Sequence, residues 1–96
     1  MRSVLITVAT LIMALGADAL AADAPPGASS CSGCHPAARS VDTTVPRLNG
    51  REAAQLASAM QDFRSGKRPA TVMDRIAKGF TDDEIQAIAA WLAAQK

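Results

Sequence analysis

The chain has no tyrosine, two phenylalanines, one tryptophan, two cysteines and a single histidine. Each shortage closes off a reading. With one histidine, no site can use two imidazoles. With only Cys31, Cys34 and His35 as soft ligands, a structural zinc site lacks its usual fourth Cys or His. Ten Lys and Arg stand against nine Asp and Glu, a net charge of +1, so no basic excess points to nucleic acid. No stretch alternates apolar and polar residues as a half-buried strand does, and no segment repeats. The 49% hydrophobic content is inflated by alanine and by the first twenty residues. Beyond those, large apolar side chains are few, which is thin for a small domain without a staple.

The first residues have the pattern of an export signal. Arg2 supplies a positive start, residues 4–15 are apolar apart from Thr7 and Thr10, and Ala19-Leu20-Ala21 fits the small-x-small cleavage pattern. Ala17-Asp18-Ala19 fits it as well. The apolar run is shorter than the roughly 20 residues of a membrane span, so no span is expected after cleavage. Residues 1–21 are therefore read as a signal peptide, 22–30 as a flexible lead-in rich in Pro, Gly and Ser, and 31–96 as the functional domain.

Within that domain the expected elements are helices. Leu56, Met60 and Phe63 follow helical spacing over residues 51–64, and Gly66 is placed to end that helix in a left-handed conformation. Residues 40–50 carry Pro46 and Asn49-Gly50 and read as loop. A short helix over 71–78 should follow the turn at 67–70. Residues 81–95 carry the strongest local signals. Thr81 and Glu84 form a capping box, Phe80 and Ile85 a hydrophobic staple, and Ile85, Ile88, Ala89 and Leu92 an apolar stripe.

The chemistry is concentrated in "SSCSGCHPAARS", residues 29–40. Two thiols two residues apart, followed at once by histidine, suit covalent attachment of haem, with the thiols on its vinyl groups and His35 on the iron. Such attachment occurs outside the bacterial cytoplasm, in keeping with the signal. Three other readings compete. A redox dithiol needs strands the sequence does not offer, zinc needs one more ligand, and a Cys31–Cys34 disulfide is the plainest alternative. A second axial ligand would have to be methionine, whose soft thioether suits iron. Met1 and Met13 leave with the signal, and Met60 reads as helix core. Met73, after the 67–70 turn, is the expected ligand, with packing against the last helix as its alternative role.

"CSGCHP", "VPRLNG", "FRSGKRPATVM" and "IAKGFTDDEIQAIAAWLA" together resemble the class I c-type cytochromes along the whole of residues 31–96. That resemblance implies an all-α cytochrome c-like bundle of three to four helices around one covalently bound haem c. It implies electron transfer rather than catalysis, and a periplasmic location. It further implies that Pro46 offers its carbonyl to the His35 imidazole, that Met73 is the distal ligand, and that Trp91 packs where the terminal helix meets the first. The C-terminal half also resembles the cytochrome subunits of flavocytochrome c sulfide dehydrogenases, which take electrons from a sulfide-oxidising flavoprotein partner. One C-x-x-C-H motif makes this a single-haem form. A diffusible electron shuttle is the second expectation. Arg47, Arg51, Arg64, Lys67, Arg68, Arg75 and Lys78 would then steer acidic redox partners. A haem-free thiol or metal-binding module is the third.

Overall fold

The computed structural model describes residues 23–96, and the expected signal peptide and its cleavage positions lie outside the described residues. Among the described residues four helices follow one another: α1 (Ala28–Ser32), α2 (Ala53–Ser65), α3 (Met73–Ala77) and α4 (Asp82–Ala94). No strand occurs among the described residues, and the fold is all-α.

The best-signalled element forms as its sequence dictates. Glu84 N–H donates to Thr81 Oγ1 at 3.2 Å, and Thr81 N–H donates to Glu84 Oε1 at 3.1 Å, so the capping box is complete. Asp82, Asp83 and Glu84 place negative charge against the positive end of α4. Ile85, Ile88, Ala89 and Leu92 are buried along one face, and Phe80 and Trp91 pack at its margin.

The second helix ends where Gly66 takes a left-handed φ of 80°. It begins two residues later than the periodicity suggests, because Glu52 is extended and the residues before it are committed to a turn. Gly50 N–H donates to the Leu92 carbonyl of α4 at 3.0 Å, and Arg51 N–H donates to Leu48 at 3.2 Å. Leu56 and Ala57 are buried, and Met60 packs against the same cluster. α2 packs on both α3 and α4. Arg64 at its end donates Nη1 to the Phe80 carbonyl at 3.0 Å and pairs through Nη2 with the Asp82 carboxylate, joining α2 to the start of α4.

The lead-in expected over residues 22–30 is shorter than its composition suggests, since α1 starts at Ala28. Pro25, Pro26 and Gly27 form a turn, with Ala28 N–H on the Pro25 carbonyl at 3.1 Å. Gly27 sits at φ 86°, and a Cβ there would lie 2.5 Å from Phe80 Cε1. Ala28 is fully buried beneath that close approach. Gly27 must be small because Phe80 closes over it.

The interior is sparse. Among the described residues half of the buried ones are alanines (Ala28, Ala57, Ala77 and Ala89), and the largest side chain with essentially no exposure is Ile85. Val41 and Val72, each 51% exposed, and Ile76 at 37% remain outside that core.

Two outcomes test this packing. Gly27→Ala should lower stability by about 1–2 kcal/mol from its left-handed backbone alone, with the Phe80 clash in addition, read as a lower Tm. Hydrogen bonds from Thr81 hold the Glu84 carboxyl below the usual glutamate range. A depressed folded-state pKa stabilises the fold above the unfolded value, and that stability is lost as pH falls through the folded one. Stability should therefore decline on acidification through and below the ordinary glutamate range. Thr81→Ala should cost about 1 kcal/mol at neutral pH yet keep most of the acid-side slope, because the Thr81 backbone N–H that donates to Glu84 Oε1 remains, whereas Glu84→Gln should flatten it.

Candidate functional site

The last turn of α1 delivers Cys31, and the backbone keeps coiling after the helix ends. Cys34 N–H and His35 N–H both donate to the Cys31 carbonyl, at 3.2 and 2.9 Å. The two thiols and the imidazole therefore follow one another around a single turn, and Pro36 then directs the chain away. Both cysteines are free thiols. Cys31 packs against the core, and burial pushes its thiol pKa up, whereas Cys34 is exposed.

His35 is half-buried, and its Nδ1 lies 2.5 Å from the Pro46 carbonyl oxygen. A carbonyl oxygen only accepts, so Nδ1 carries the proton and donates. Nε2 is left with a free lone pair, the form of imidazole that binds a metal.

The segment from Pro36 to Asn49 has no regular structure. Arg47 lies across it. Its Nε donates to the Ala37 carbonyl at 2.6 Å and its Nη1 to the Asn49 carbonyl at 3.0 Å. Arg47 and Arg64, two of the basic residues expected to face a partner, also spend donors on backbone carbonyls of this chain. Arg68 lies over the Phe63 ring, 4.9 Å from its centroid. Spacing carries no sign of the Arg47–Ala37 and Arg64–Phe80 bonds, which join residues ten and sixteen positions apart.

The methionines are separated by environment. Met60 packs against the apolar cluster, as a helix-core residue does. Met73 is the first residue of α3, half-buried and outside that cluster. Beside it in sequence, Val72 and Ile76 leave apolar surface uncovered. Among the described residues no three His, Cys, Asp or Glu side chains converge to hold a metal ion, which leaves the structural zinc reading without support. The strands a thioredoxin-like dithiol requires are absent there too.

No family model matches the chain. Known proteins do. It is 40% identical over 60 residues to the cytochrome subunit of sulfide dehydrogenase of Chlorobaculum tepidum, covering 62% of this chain and 54% of that protein. It is 37% identical over 81 residues to the thiosulfate dehydrogenase electron acceptor of Thiomonas intermedia, covering 80% and 37%. It is 33% identical over 94 residues to cytochrome c4 of Pseudomonas aeruginosa, covering 91% and 47%. These relatives are class I c-type cytochromes, and the chain belongs with them in that family. Among them its sequence is similar to the cytochrome subunit of sulfide dehydrogenase. The chain spans about half the length of these relatives or less.

The thiol geometry has a direct test. In polypeptide with free thiols, an alkylating reagent should modify exposed Cys34 well before Cys31, by peptide mass mapping. Equal rates would contradict the burial of Cys31.

Proposed function

We propose that this chain is an exported, single-haem c-type cytochrome that carries electrons in the periplasm. In this reading it serves as the haem subunit that accepts electrons from a sulfide-oxidising flavoprotein. The observation that carries the reading is the Cys31-x-x-Cys34-His35 turn with its imidazole Nδ1 donating to Pro46, in a chain related to cytochrome subunits. Residues 1–21 would be its export signal.

The residues present fit an iron porphyrin. Two free thiols stand one turn apart beside an imidazole whose Nε2 is available. A soft thioether, Met73, lies outside the packed core, and a large flat apolar group would cover side chains such as Val72 and Ile76 that the protein leaves exposed. Cys31 and Cys34 would hold the haem covalently, and His35 and Met73 would ligate its iron. Haem, when bound, supplies a one-electron ferric/ferrous couple. The Pro46 carbonyl would keep the His35 ring in one tautomer and one orientation and make Nε2 a better donor. No residue of the chain breaks or forms a substrate bond in this role. Electrons would enter and leave near Cys34, the exposed thiol of the pair.

A freely diffusing shuttle is the second reading, favoured by the similarity to proteins named electron acceptors of thiosulfate dehydrogenase. Among the described residues no helix is long and apolar enough to cross a membrane.

Expression with haem-maturation machinery tests the cofactor. One covalently bound haem per chain is expected, with a Soret band that survives denaturation. A folded periplasmic product lacking that band would favour a haem-free thiol module instead. Co-purification of a flavin-containing partner from the native source separates the subunit from the shuttle. Met73→Ala should open the iron to added small ligands and lower the reduction potential. Met60→Ala should instead cost about 2 kcal/mol of stability with the iron ligation kept.

A further inference from the structure

The loop between His35 and Pro46 raises a mechanical question. The two residues lie eleven positions apart, and the chain between them forms neither helix nor strand. Inside the loop the hydrogen bonds are local: Val41 N–H to Ala38 at 3.5 Å and Val45 N–H to Thr43 Oγ1 at 3.2 Å. Neither draws the arms together. Among the described residues two bonds do so. One is the imidazole bond itself, and the other is Arg47 Nε on the Ala37 carbonyl.

Arg47 is suited to that task. It directly follows Pro46, and the carbonyl it reaches lies two residues beyond His35. Its second donor, Nη1, takes the Asn49 carbonyl, and the next residue, Gly50, is fastened to Leu92 of α4. A continuous line of bonds thus runs from α4 through Gly50, Asn49 and Arg47 to Ala37. His35 N–H, at the other end, is held to Cys31 of α1. A planar guanidinium presents its donors at fixed angles, so it sets the separation of the carbonyls it grips. A lysine, with one ammonium on a flexible stem, cannot hold two carbonyls in that fixed relation.

We propose that Arg47 is the positioning residue of the proximal histidine. By clasping Ala37 and Asn49 it closes the 35–47 loop and keeps the Pro46 carbonyl on His35 Nδ1. The proposal rests on the reading of His35 as the iron ligand. Its consequence lies in the imidazole. With the clasp in place, Nδ1–H stays engaged and Nε2 stays electron-rich, which favours the ferric state. With the clasp gone, the loop opens, the bond to Pro46 is intermittent and the ring is a weaker donor.

The test compares wild-type holoprotein with Arg47→Lys, which keeps the charge and loses the fork. Arg51→Lys, at an exposed neighbour, is the control. In the ferrous state, the His35 Nδ1 proton of Arg47→Lys should exchange with water faster by on the order of tenfold, as expected for the loss of about one hydrogen bond. Its midpoint potential should rise. Arg51→Lys should match wild type in both. Amide exchange should accelerate in residues 36–46 and stay slow in α2 and α4.

A haem-loaded Arg47→Lys protein with the wild-type exchange rate overturns the proposal. So does a loss of protection spread through α2 and α4, which would make Arg47 a general support of the fold. Failure of the underlying reading has a different signature: wild-type protein without haem absorbance, which removes the cytochrome assignment and this proposal together.

Discussion

Shortage of buried apolar volume governs this protein. Alanines make up half of the interior, and Ile85 is the bulkiest side chain sealed from solvent. Alanine lets helices approach closely but removes little apolar area from water, and hydrophobic stabilisation scales with that area. The fold therefore leans on specific devices at its joints. Thr81 and Glu84 satisfy the first turn of α4, Arg64 binds the end of α2 to that same turn, and Gly27 admits Phe80 over the start of α1. All three converge on the residues that begin α4. Val41, Val72 and Ile76 remain outside that interior.

The reactive residues sit on the least regular part of the chain. Cys31 belongs to a five-residue helix, and Cys34, His35 and Pro46 belong to turn and loop. Loops carry chemistry well when a rigid support orders them. Here the support is α4, reached through the backbone of Gly50 and the side chain of Arg47. His35 is held from both sides, by its backbone N–H on the Cys31 carbonyl of α1 and by its ring Nδ1–H on the Pro46 carbonyl. Family membership accords with this arrangement.

Much of the fold was legible because its signals are short-range. Capping boxes, glycine terminators and apolar stripes act within a few residues, so α2 and α4 could be placed to within two residues at their ends. Where the reading slipped, a distant partner was responsible. Gly27 looks like part of a flexible lead-in until Phe80 is packed on it. Arg47 and Arg64 look like solvated charges until their carbonyl acceptors, ten and sixteen positions away, are seen.

The sequence by itself determined the chemical inventory and its local order. It held two thiols and an imidazole at fixed spacing, one methionine in a helical apolar stripe and another beyond it, and helical patterns over the segments that became α2 and α4. Covalent neighbourhood and the 3.6-residue period suffice for such features. Tertiary structure alone decided which tautomer His35 adopts, which cysteine is sheltered, and which arginines are committed to the fold. Those properties depend on which carbonyl or ring comes to rest against a side chain, and that is settled only when helices far apart in the chain pack together.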